Sequence, residues 1–362
     1  KSDRVPPNML ITHILKAQAD LLWVGGIGTY VKGQGESHGD VGDKANDAVR
    51  INGSELRCKI VGEGGNLGLT QFGRIEFALR GGRLNTDFID NSGGVDCSDH
   101  EVNMKILLNQ AVAMGDLTDK QRNIMLEEMT DDVAALVLKN NYRQTQAISI
   151  ASVGAITRLE EYRRLMNTME SEGKLNRSLE FLPDDETLSE RKLDKKGLTR
   201  PELSVLISYV KGDLKQTLID SSLPDEPLLA GEMYKVFPQD LTRKFSKELG
   251  EHQLRREIIA TQIANDMVNH MGITFVERLN QSTGADAASI ALAWIIARDV
   301  FRIDNWWDRI EALDFHVSAQ LQMELMQDLM VLALQTDLTR VITFMVAKEQ
   351  SGRQYPQAGM SE

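Results

Sequence analysis

The sequence predicts an α/β part followed by a mostly α-helical part. Three observations lead to this prediction. Up to about residue 97, short apolar runs end in glycine turns, and a segment of helical period lies between two of them. From Ser98 onward glycine becomes sparse and helical periods dominate. Strands that alternate with helices favour a parallel sheet, so we expect one in the first part.

The α/β part contains three apolar or mixed runs that each end in a glycine turn, ADLLWVGGIGTYV, LRCKIVGEGGNLG and GRLNTDFIDNSGGV. In the second run we expect a buried strand over residues 58–61 and a turn over residues 62–68. The intervening segment TQFGRIEFALRGG predicts a helix that stops at Gly81 and Gly82. The apolar side chains with helical spacing in this segment are Phe72, Ile75, Phe77, Ala78 and Leu79.

Helix-capping patterns mark the second part. Thr118 with Gln121, and Thr199 with Pro201 and Glu202, predict helix starts. The run TDKQRNIMLEEMTDDVAALVLKNN, which begins at Thr118, is expected to form one helix with one buried face. Gly272 is expected to end a long helix. The run AASIALAWIIA predicts a buried helix, AQLQMELMQDLMVLALQ predicts another, and residues 175–197 are polar enough to predict a linker or exposed loop. We find no internal repeat.

Length and charge limit the class of protein. The 362 residues allow two or three domains. A net charge of −12 disfavours nucleic-acid binding. The two cysteines, Cys58 and Cys97, give no disulfide framework and fit a reducing cytoplasm. The N-terminus lacks the apolar region of a signal peptide. The longest nearly apolar run has about 11 residues, short of the ~20 that a membrane span needs, so no membrane contact is expected.

The glycine turns are candidate ligand sites because ligands bind at the carboxyl ends of parallel strands. GGIGTYVKG has Gly26 and Gly28, but Val31 breaks the dinucleotide fingerprint G-x-G-x-x-G. GEGGNLG and IDNSGGV each place an Asn beside paired glycines. Asn carries both a donor and an acceptor and would suit an amide or a ribose hydroxyl. The alternative is that Asn merely tolerates turn geometry.

Ser98 and Glu101 form a capping-box pattern, so we expect a helix to begin at Ser98. A helix N-terminus can also bind a carboxylate, although Asp96 and Asp99 add local negative charge. Asp96, Cys97, Asp99 and His100 are too close in sequence to converge on one ion without a second cluster, so no metal site is expected.

Four segments together resemble the large NAD-dependent glutamate dehydrogenases of bacteria. They are DLLWVGGIGTYVK, VGDKANDAVRI, the run from KIVGEGGNLG to HEVNMKILL, and LRREIIATQIANDMVNHMGITFVERL. The likeness runs to about residue 325. It implies the second half of a Rossmann-like dinucleotide-binding domain in residues 1–115 and a helical C-terminal domain in residues 116–330. It also implies oxidation of L-glutamate to 2-oxoglutarate with NAD, and a homo-oligomer.

The resemblance implies particular contacts. The run Glu63, Gly64, Gly65 and Asn66 looks like the acidic-Gly-small-Asn run that lines the cofactor site in smaller glutamate dehydrogenases. The segment that starts at Asn91 matches the place where nicotinamide and glutamate meet. We therefore expect Gly64, Gly65, Asn66 and Asn91 to contact NAD, and Asn91, Val95 and Ser98 to contact glutamate.

The same resemblance implies that part of the active site is missing. Family members have a substrate domain with a catalytic Lys and Asp, expected upstream of Lys1. This upstream segment is therefore an expected partner, and the chain alone should be inactive. Residues 331–362 are instead similar to an uncharacterised family of secreted bacterial proteins. Two alternatives stay open: a non-catalytic helical module for assembly or regulation, and a chimeric sequence without native function.

Overall fold

The computed structural model describes residues 5–311. Within them the chain is mostly helical, with few and short strands. One compact unit ends at Arg278 and a second begins at Leu279. Residues 331–362, and the helix expected at AQLQMELMQDLMVLALQ, lie outside the described residues.

Strands occur only before residue 64 in the described part of the chain. The elements up to the end of the α/β part are α1 (Pro7–Leu15), β1 (Leu21–Val24), β2 (Val31–Lys32), α2 (His38–Val41), β3 (Ile51–Asn52), β4 (Ile60–Glu63), α3 (Gln71–Leu79) and α4 (Asp87–Asp90). Strand β1 pairs in parallel with β4, and β2 pairs in parallel with β3. The expected parallel pairing is confirmed, but it is divided into two short pairs.

The two strand pairs and α3 share one apolar core. Its members include Val24, Val31, Ile51, Val61, Leu69 and Phe77. Helix α3 begins at the Thr70 cap and is followed by Gly81, whose φ is 95°. The helix and its predicted stop are therefore confirmed. The third run predicted to hold a strand contributes only a single parallel bridge, between Ile60 and Arg83.

The β1–β4 pair is buried on one face and exposed on the other. Because side chains alternate along a strand, Val24 and Val61 point into the core while Leu21, Trp23 and Ile60 point outward. The Trp23 side chain is stacked close to Gly62 and Gly64, where added Cβ atoms would lie 2.8 and 2.5 Å from its ring. Among residues 5–311, none covers this apolar sheet face.

Helices account for the rest of the described chain. They are α5 (Ser92–Met114), α6 (Asp119–Glu128), α7 (Thr130–Val153), α8 (Leu159–Ser171), α9 (Asp185–Leu193), α10 (Arg200–Asp220), α11 (Ala230–Tyr234), α12 (Gln239–Lys244), α13 (Ser246–Gly250), α14 (Arg255–Met271), α15 (Phe275–Thr283), α16 (Ala287–Phe301) and α17 (Ile303–Glu311). Within the first unit, α10 packs against α14 and α7. In the described residues no helix is long and apolar enough to cross a membrane.

Helix α10 shows why the sequence forms a buried central helix. Its start has both hydrogen bonds of the Thr199–Glu202 capping box, as predicted. Apolar side chains then recur at helical spacing, and Leu203, Leu206, Ile207, Leu214 and Leu218 are buried. Each such burial contributes about 1.5–3 kcal/mol before conformational entropy is counted. The predicted Thr118 cap and Gly272 stop are likewise confirmed.

Two predictions about the helical part are wrong. Residues 175–197 are not a linker, because α9 lies within them and Leu175, Leu182 and Leu188 are buried. Three apolar residues spread through a charged segment are enough to anchor it. The segment after Thr118 is not one helix either, because it is interrupted at Met129, between α6 and α7.

The second unit contains the predicted apolar helix, which is α16. Ile290, Ala291, Trp294 and Ile295 are buried in it. The Asp286 side chain accepts a hydrogen bond from the amide of Ser289 and caps its start. In α17, Ile303 and Trp307 are also buried.

Replacing Lys211 of α10 by Met should stabilise the protein. The Lys211 ammonium donates to Gln144 Oε1 at 2.9 Å, and burial lowers the pKa of Lys211 to about 7. The unfolded chain therefore binds a proton that the folded protein lacks, so stability rises with pH between about 7 and the ordinary lysine value. We expect Lys211→Met to raise the free energy of unfolding by about 1–3 kcal/mol at pH 7 and to remove this rise of stability with pH.

Chemical denaturation at several pH values from 6 to 10 measures this effect. Lys105→Met is the control, because Lys105 is exposed on α5 and pairs with Glu101. Lys105→Met should change the free energy of unfolding by less than about 0.5 kcal/mol at each pH. The dependence of that free energy on pH should therefore stay as in the wild type. A Lys211→Met variant less stable than the wild type at pH 7 would contradict the prediction.

Candidate functional site

Two glycine turns lie side by side at the carboxyl ends of β1 and β4. The Gly65 amide donates to the Val24 carbonyl at 2.9 Å. A Cβ added at Gly65 would lie 2.5 Å from the carbonyl oxygen of Gly26, so this position requires glycine. Around Gly26 the space is open, because an added Cβ would meet no atom within 4 Å. The two turns therefore present bare backbone on their open side.

The two Asn side chains singled out in the sequence meet at this edge. Asn91 Nδ2 donates a hydrogen bond to Asn66 Oδ1. Asn66 is exposed and Asn91 is half-buried, so both remain accessible from the solvent side. A residue that follows β4 is thus joined to one that follows α4, 25 positions later. The pair keeps an unused Asn66 amide donor and an Asn91 carbonyl acceptor for a ligand.

The predicted helix start at Ser98 is wrong. Helix α5 begins at Ser92, immediately after Asn91, so the turn expected in IDNSGGV is mostly helix. The Ser98 hydroxyl donates to the Gly94 carbonyl at 3.1 Å, one turn back, instead of capping the helix. The start is fixed elsewhere: the Ser92 hydroxyl lies within hydrogen-bond distance of both the Ile89 carbonyl and Asn141 Oδ1 on α7, and its one proton can be donated to either.

Neither of the paired glycines of this segment is required by a close contact. A Cβ at Gly93 would be 3.7 Å from Val137 of α7, an ordinary contact, so Gly93 sits against that helix. Gly94 faces open space. Asn91, Val95 and Ser98 are spaced four and three residues apart, which places them along one side of the first two turns of α5. Val95 and Ser98 are exposed there.

A buried ion pair holds the turn after β4. The Glu63 carboxylate is fully buried and accepts from Arg74 Nε at 2.7 Å and Nη2 at 2.9 Å. Glu63 Oε1 also accepts from the Leu69 amide at 3.1 Å, which closes the turn. Desolvation raises the pKa of Glu63, and the hydrogen bonds from Arg74 offset part of that rise. Because it is sealed in this way, Glu63 cannot exchange a proton directly with a ligand.

Two aspartates of α4 complete this support. Asp87 Oδ2 accepts from the Leu67 amide at 2.8 Å, and Asp87 Oδ1 lies 3.2 Å from Arg74 Nη2. The Leu67 φ of 57° is in the left-handed region, so its amide is held in a strained turn. Asp90 Oδ2 accepts from the Glu63 amide at 3.1 Å, and burial raises the pKa of Asp90. Carboxylates from α4 thus fix both ends of the turn that carries Asn66.

Sequence reasoning missed these supporting residues. A charged residue on the apolar side of a short helix was the available signal for Arg74, which lies three positions before Phe77. Asp87 and Asp90 looked like ordinary polar residues of a turn. Of the described residues, no group of three or more His, Cys, Asp or Glu could hold a metal ion.

The parallel strand pairs and the long helices define the class: a mostly helical protein with a short α/β part at its start. Residues 1–151 match the family model described as "Bacterial NAD-glutamate dehydrogenase, catalytic domain". Residues 195–351 match "Glutamate dehydrogenase, C-terminal", a match that extends into the segment expected to depart from the family. The chain belongs to the bacterial NAD-glutamate dehydrogenase family.

Curated relatives agree with these matches. The chain is 59% identical over 330 residues to the NAD-specific glutamate dehydrogenase of Pseudomonas aeruginosa, and 55% identical over 330 residues to that of Halomonas elongata. It is 42% identical over 317 residues to that of Mycobacterium tuberculosis. These alignments cover 91%, 91% and 88% of this chain but 20% of each relative. The chain therefore spans about a fifth of their length.

Proposed function

We propose that this chain supplies nicotinamide-contacting and glutamate-contacting residues to an NAD-dependent glutamate dehydrogenase. The reaction converts L-glutamate, NAD and water to 2-oxoglutarate, ammonium, NADH and a proton. The observation that carries the proposal is the hydrogen bond between Asn91 and Asn66 at the carboxyl end of a parallel strand pair. This is the edge of a sheet at which α/β proteins bind ligands. Family membership supports the same chemistry.

The residues at this edge fit NAD. Gly64 lies against the Trp23 ring and Gly65 against the Gly26 carbonyl, which only glycine allows, and the Cβ side of Gly26 is open. The Asn66 and Asn91 side chains keep a free donor and a free acceptor. We assign these two turns to the nicotinamide side of the cofactor. When bound, NAD accepts the hydride from the α-carbon of glutamate. The chain's part is to hold and orient the ring, which Asn66 does from the β4 turn.

We assign glutamate to the first two turns of α5. The first backbone amides of a helix have no partner within that helix and favour a carboxylate. Asn91 would contact the amino end of the substrate, while Val95 and Ser98 would contact its distal carboxylate and adjoining methylenes. Because hydride transfer needs close alignment of donor and acceptor carbons, the Asn91–Asn66 contact is the element that brings the two binding surfaces together.

Proton transfer is assigned to groups outside the described residues. At the site, Glu63, Asp87 and Asp90 are already engaged by Arg74, by Asn85 and by backbone amides. We propose that a catalytic Lys and Asp belong to another segment of the longer polypeptide. The rest of a Rossmann-like sheet would pair with the edge of β1 that β4 does not occupy, with residues 1–115 as its second half and residues 116–330 as a helical domain. We also propose that the enzyme containing this chain is a cytoplasmic homo-oligomer.

Ser98→Ala separates the binding role of Ser98 from a structural one. Since Ser98 is exposed and lies inside α5, its loss should change the free energy of unfolding by less than about 0.5 kcal/mol. A lost hydrogen bond to a carboxylate costs about 1.5–3 kcal/mol. In a full-length enzyme that contains this chain, we therefore expect the KM for glutamate to rise by roughly 10-fold to 100-fold, with the KM for NAD unchanged.

Thr261→Ala is the matched control. Thr261 is an exposed residue of α14 whose hydroxyl donates to the Glu257 carbonyl one turn back, as the Ser98 hydroxyl does to Gly94. Its removal should leave both KM values unchanged. An unchanged KM for glutamate in Ser98→Ala would sink the assignment of Ser98, whereas loss of stability in that variant would mean that it caps the helix after all.

A further inference from the structure

We infer that Arg200, at the first turn of α10, is a positioning residue for the Asn66–Asn91 pair. Through it the helical part sets the geometry of the site in the α/β part. This inference rests on the proposed function, because it assumes that the Asn pair contacts cofactor and substrate. It assigns a role to a residue 109 positions after Asn91 in the sequence, in a segment matched by the C-terminal family model.

The Arg200 side chain donates hydrogen bonds to two other parts of the chain. Its Nε and Nη2 both donate to Asn85 Oδ1, at 3.1 and 2.9 Å, just before α4. Its Nη1 donates to the Ser149 hydroxyl of α7 at 2.8 Å. The fixed fork of a guanidinium therefore ties α7, α10 and the start of the α4 segment together.

Asn85 is in turn joined to the site through Asp90. Its Nδ2 donates to Asp90 Oδ1 at 2.9 Å, and the other Asp90 oxygen accepts from the Glu63 amide at 3.1 Å. Asp90 is followed directly by Asn91, whose side chain donates to Asn66. Each link in this series is a hydrogen bond or a peptide bond. Rotation of Asn85 would release Asp90 and, with it, the backbone that aims Asn91.

The charges around Arg200 favour positioning over simple stabilisation. Both of its hydrogen-bond acceptors, Asn85 and Ser149, are neutral. Burial lowers the pKa of Arg200, while the charge of Asp90 opposes that shift and Arg83 adds repulsion. Arg200 is half-buried, and a cation in such a place without a directly bonded carboxylate contributes little to stability. What the arrangement provides is a defined orientation of Asn85 between two helices.

A second contact joins the same turn of α10 to the α/β part. Gln71 Nε2 donates to the Pro201 carbonyl at 3.3 Å, and Gln71 lies one turn before Arg74, which holds Glu63. The first turn of α10 therefore contacts Gln71, which precedes Arg74, and Asn85, which holds Asp90. Arg200 is the member of this turn whose side chain reaches the Asp90 branch.

Amide hydrogen exchange on this chain tests the positioning directly, without any catalysis. In Arg200→Ala we expect the Glu63 amide, which Asp90 holds, to exchange at least about tenfold faster. The Leu69 amide is the internal control, because it is held by Glu63 and Arg74 and should keep its rate. Arg200→Lys should behave like Arg200→Ala, since an ammonium cannot bridge Asn85 and Ser149 as the fork does. Wild-type exchange at Glu63 in either variant would overturn the inference.

Kinetics in a full-length enzyme that contains the chain provide the functional readout. For Arg200→Ala we expect the KM for glutamate to rise at least about tenfold, with a smaller fall in kcat. Arg256→Ala is the matched control, because Arg256 donates to the Ile219 and Ser221 carbonyls within the helical part. It should lower stability and leave KM unchanged. If Arg200→Ala likewise lowers stability but leaves KM unchanged, Arg200 is only structural and the inference is refuted.

Failure of the inference and failure of the proposed function give different results. If Asn66→Ala and Asn91→Ala leave both KM values unchanged, the proposed function is wrong. If those variants raise KM but Arg200→Ala does not, the proposed function stands and the positioning role of Arg200 is wrong.

Discussion

Replacing Arg74 by Met should lower the free energy of unfolding by about 3–5 kcal/mol, the usual cost of leaving one partner of a buried ion pair uncompensated. The Glu63 carboxylate is fully buried and takes two hydrogen bonds from Arg74, and Asp87 loses the same partner. Urea unfolding followed by circular dichroism measures the loss. The double variant with Glu63→Gln should recover part of it, because no charge is then stranded at that position.

The pH dependence of the Arg74→Met variant has a definite sign. Desolvation already raises the pKa of Glu63, and the loss of Arg74 raises it further. Between the ordinary glutamate pKa and the raised one, the folded protein binds a proton that the unfolded chain has released. Its stability therefore falls as pH rises through this window. The deficit should be smaller at pH 5 than at pH 8.

A surface pair is the control for Arg74. Arg122 lies 3.4 Å from Asp119 on α6, where Asp119 is largely exposed. Arg122→Met should therefore cost less than about 1 kcal/mol. If the Arg74→Met loss is equally small, Glu63 and Arg74 do not form the support described here.

Gly65→Ala should cost about 2–4 kcal/mol and should disturb the site even where the protein remains folded. Its Cβ would lie 2.5 Å from the Gly26 carbonyl oxygen, and the neighbouring atom is backbone that cannot rotate away. The β1 and β4 turns must then separate, which displaces Asn66. We expect a lower melting temperature and, in the full-length enzyme, a raised KM for NAD.

Gly26→Ala is the matched control, since Gly26 is the other member of the same contact but an added Cβ would meet nothing within 4 Å. It should change the free energy of unfolding by less than about 1 kcal/mol. Equal losses in the two variants would mean that the turns are not held in contact at Gly65.

The elements that local chemistry dictates could be predicted from sequence. Helix starts at Thr118 and Thr199 and the stop at Gly272 follow from side-chain and backbone hydrogen bonds made within a few residues. The start of α5 was missed because its determinants are distant. Ser92 is held by Asn141, which is 49 positions away, and Gly93 packs against α7. Such contacts leave no local pattern, so the local Ser98 signal was misleading.

The candidate site divides in the same way. Its surface residues, such as Asn66 and Asn91, are conspicuous because the runs that carry them resemble the cofactor-lining and substrate-lining runs of glutamate dehydrogenases. Its supporting residues are not conspicuous in the sequence. Arg74, Asp90 and Arg200 become recognisable only when the fold brings each of them next to its hydrogen-bond partners. The sequence could suggest which side chains meet a ligand, but not which charges hold them in place.

Trp23 gives this region an optical signal of its own. Its indole is 60% exposed and lies over Gly62 and Gly64, whereas the indoles of Trp294 and Trp307 are buried. An exposed indole emits at longer wavelength and is quenched by small solutes, while buried indoles contribute a steady background. Whatever comes to cover the β1–β4 face, whether nucleotide or polypeptide, changes the polarity around Trp23 first. Trp306 is also exposed, at 45%, so the intrinsic fluorescence of a Trp306→Phe variant can follow the completion of this surface.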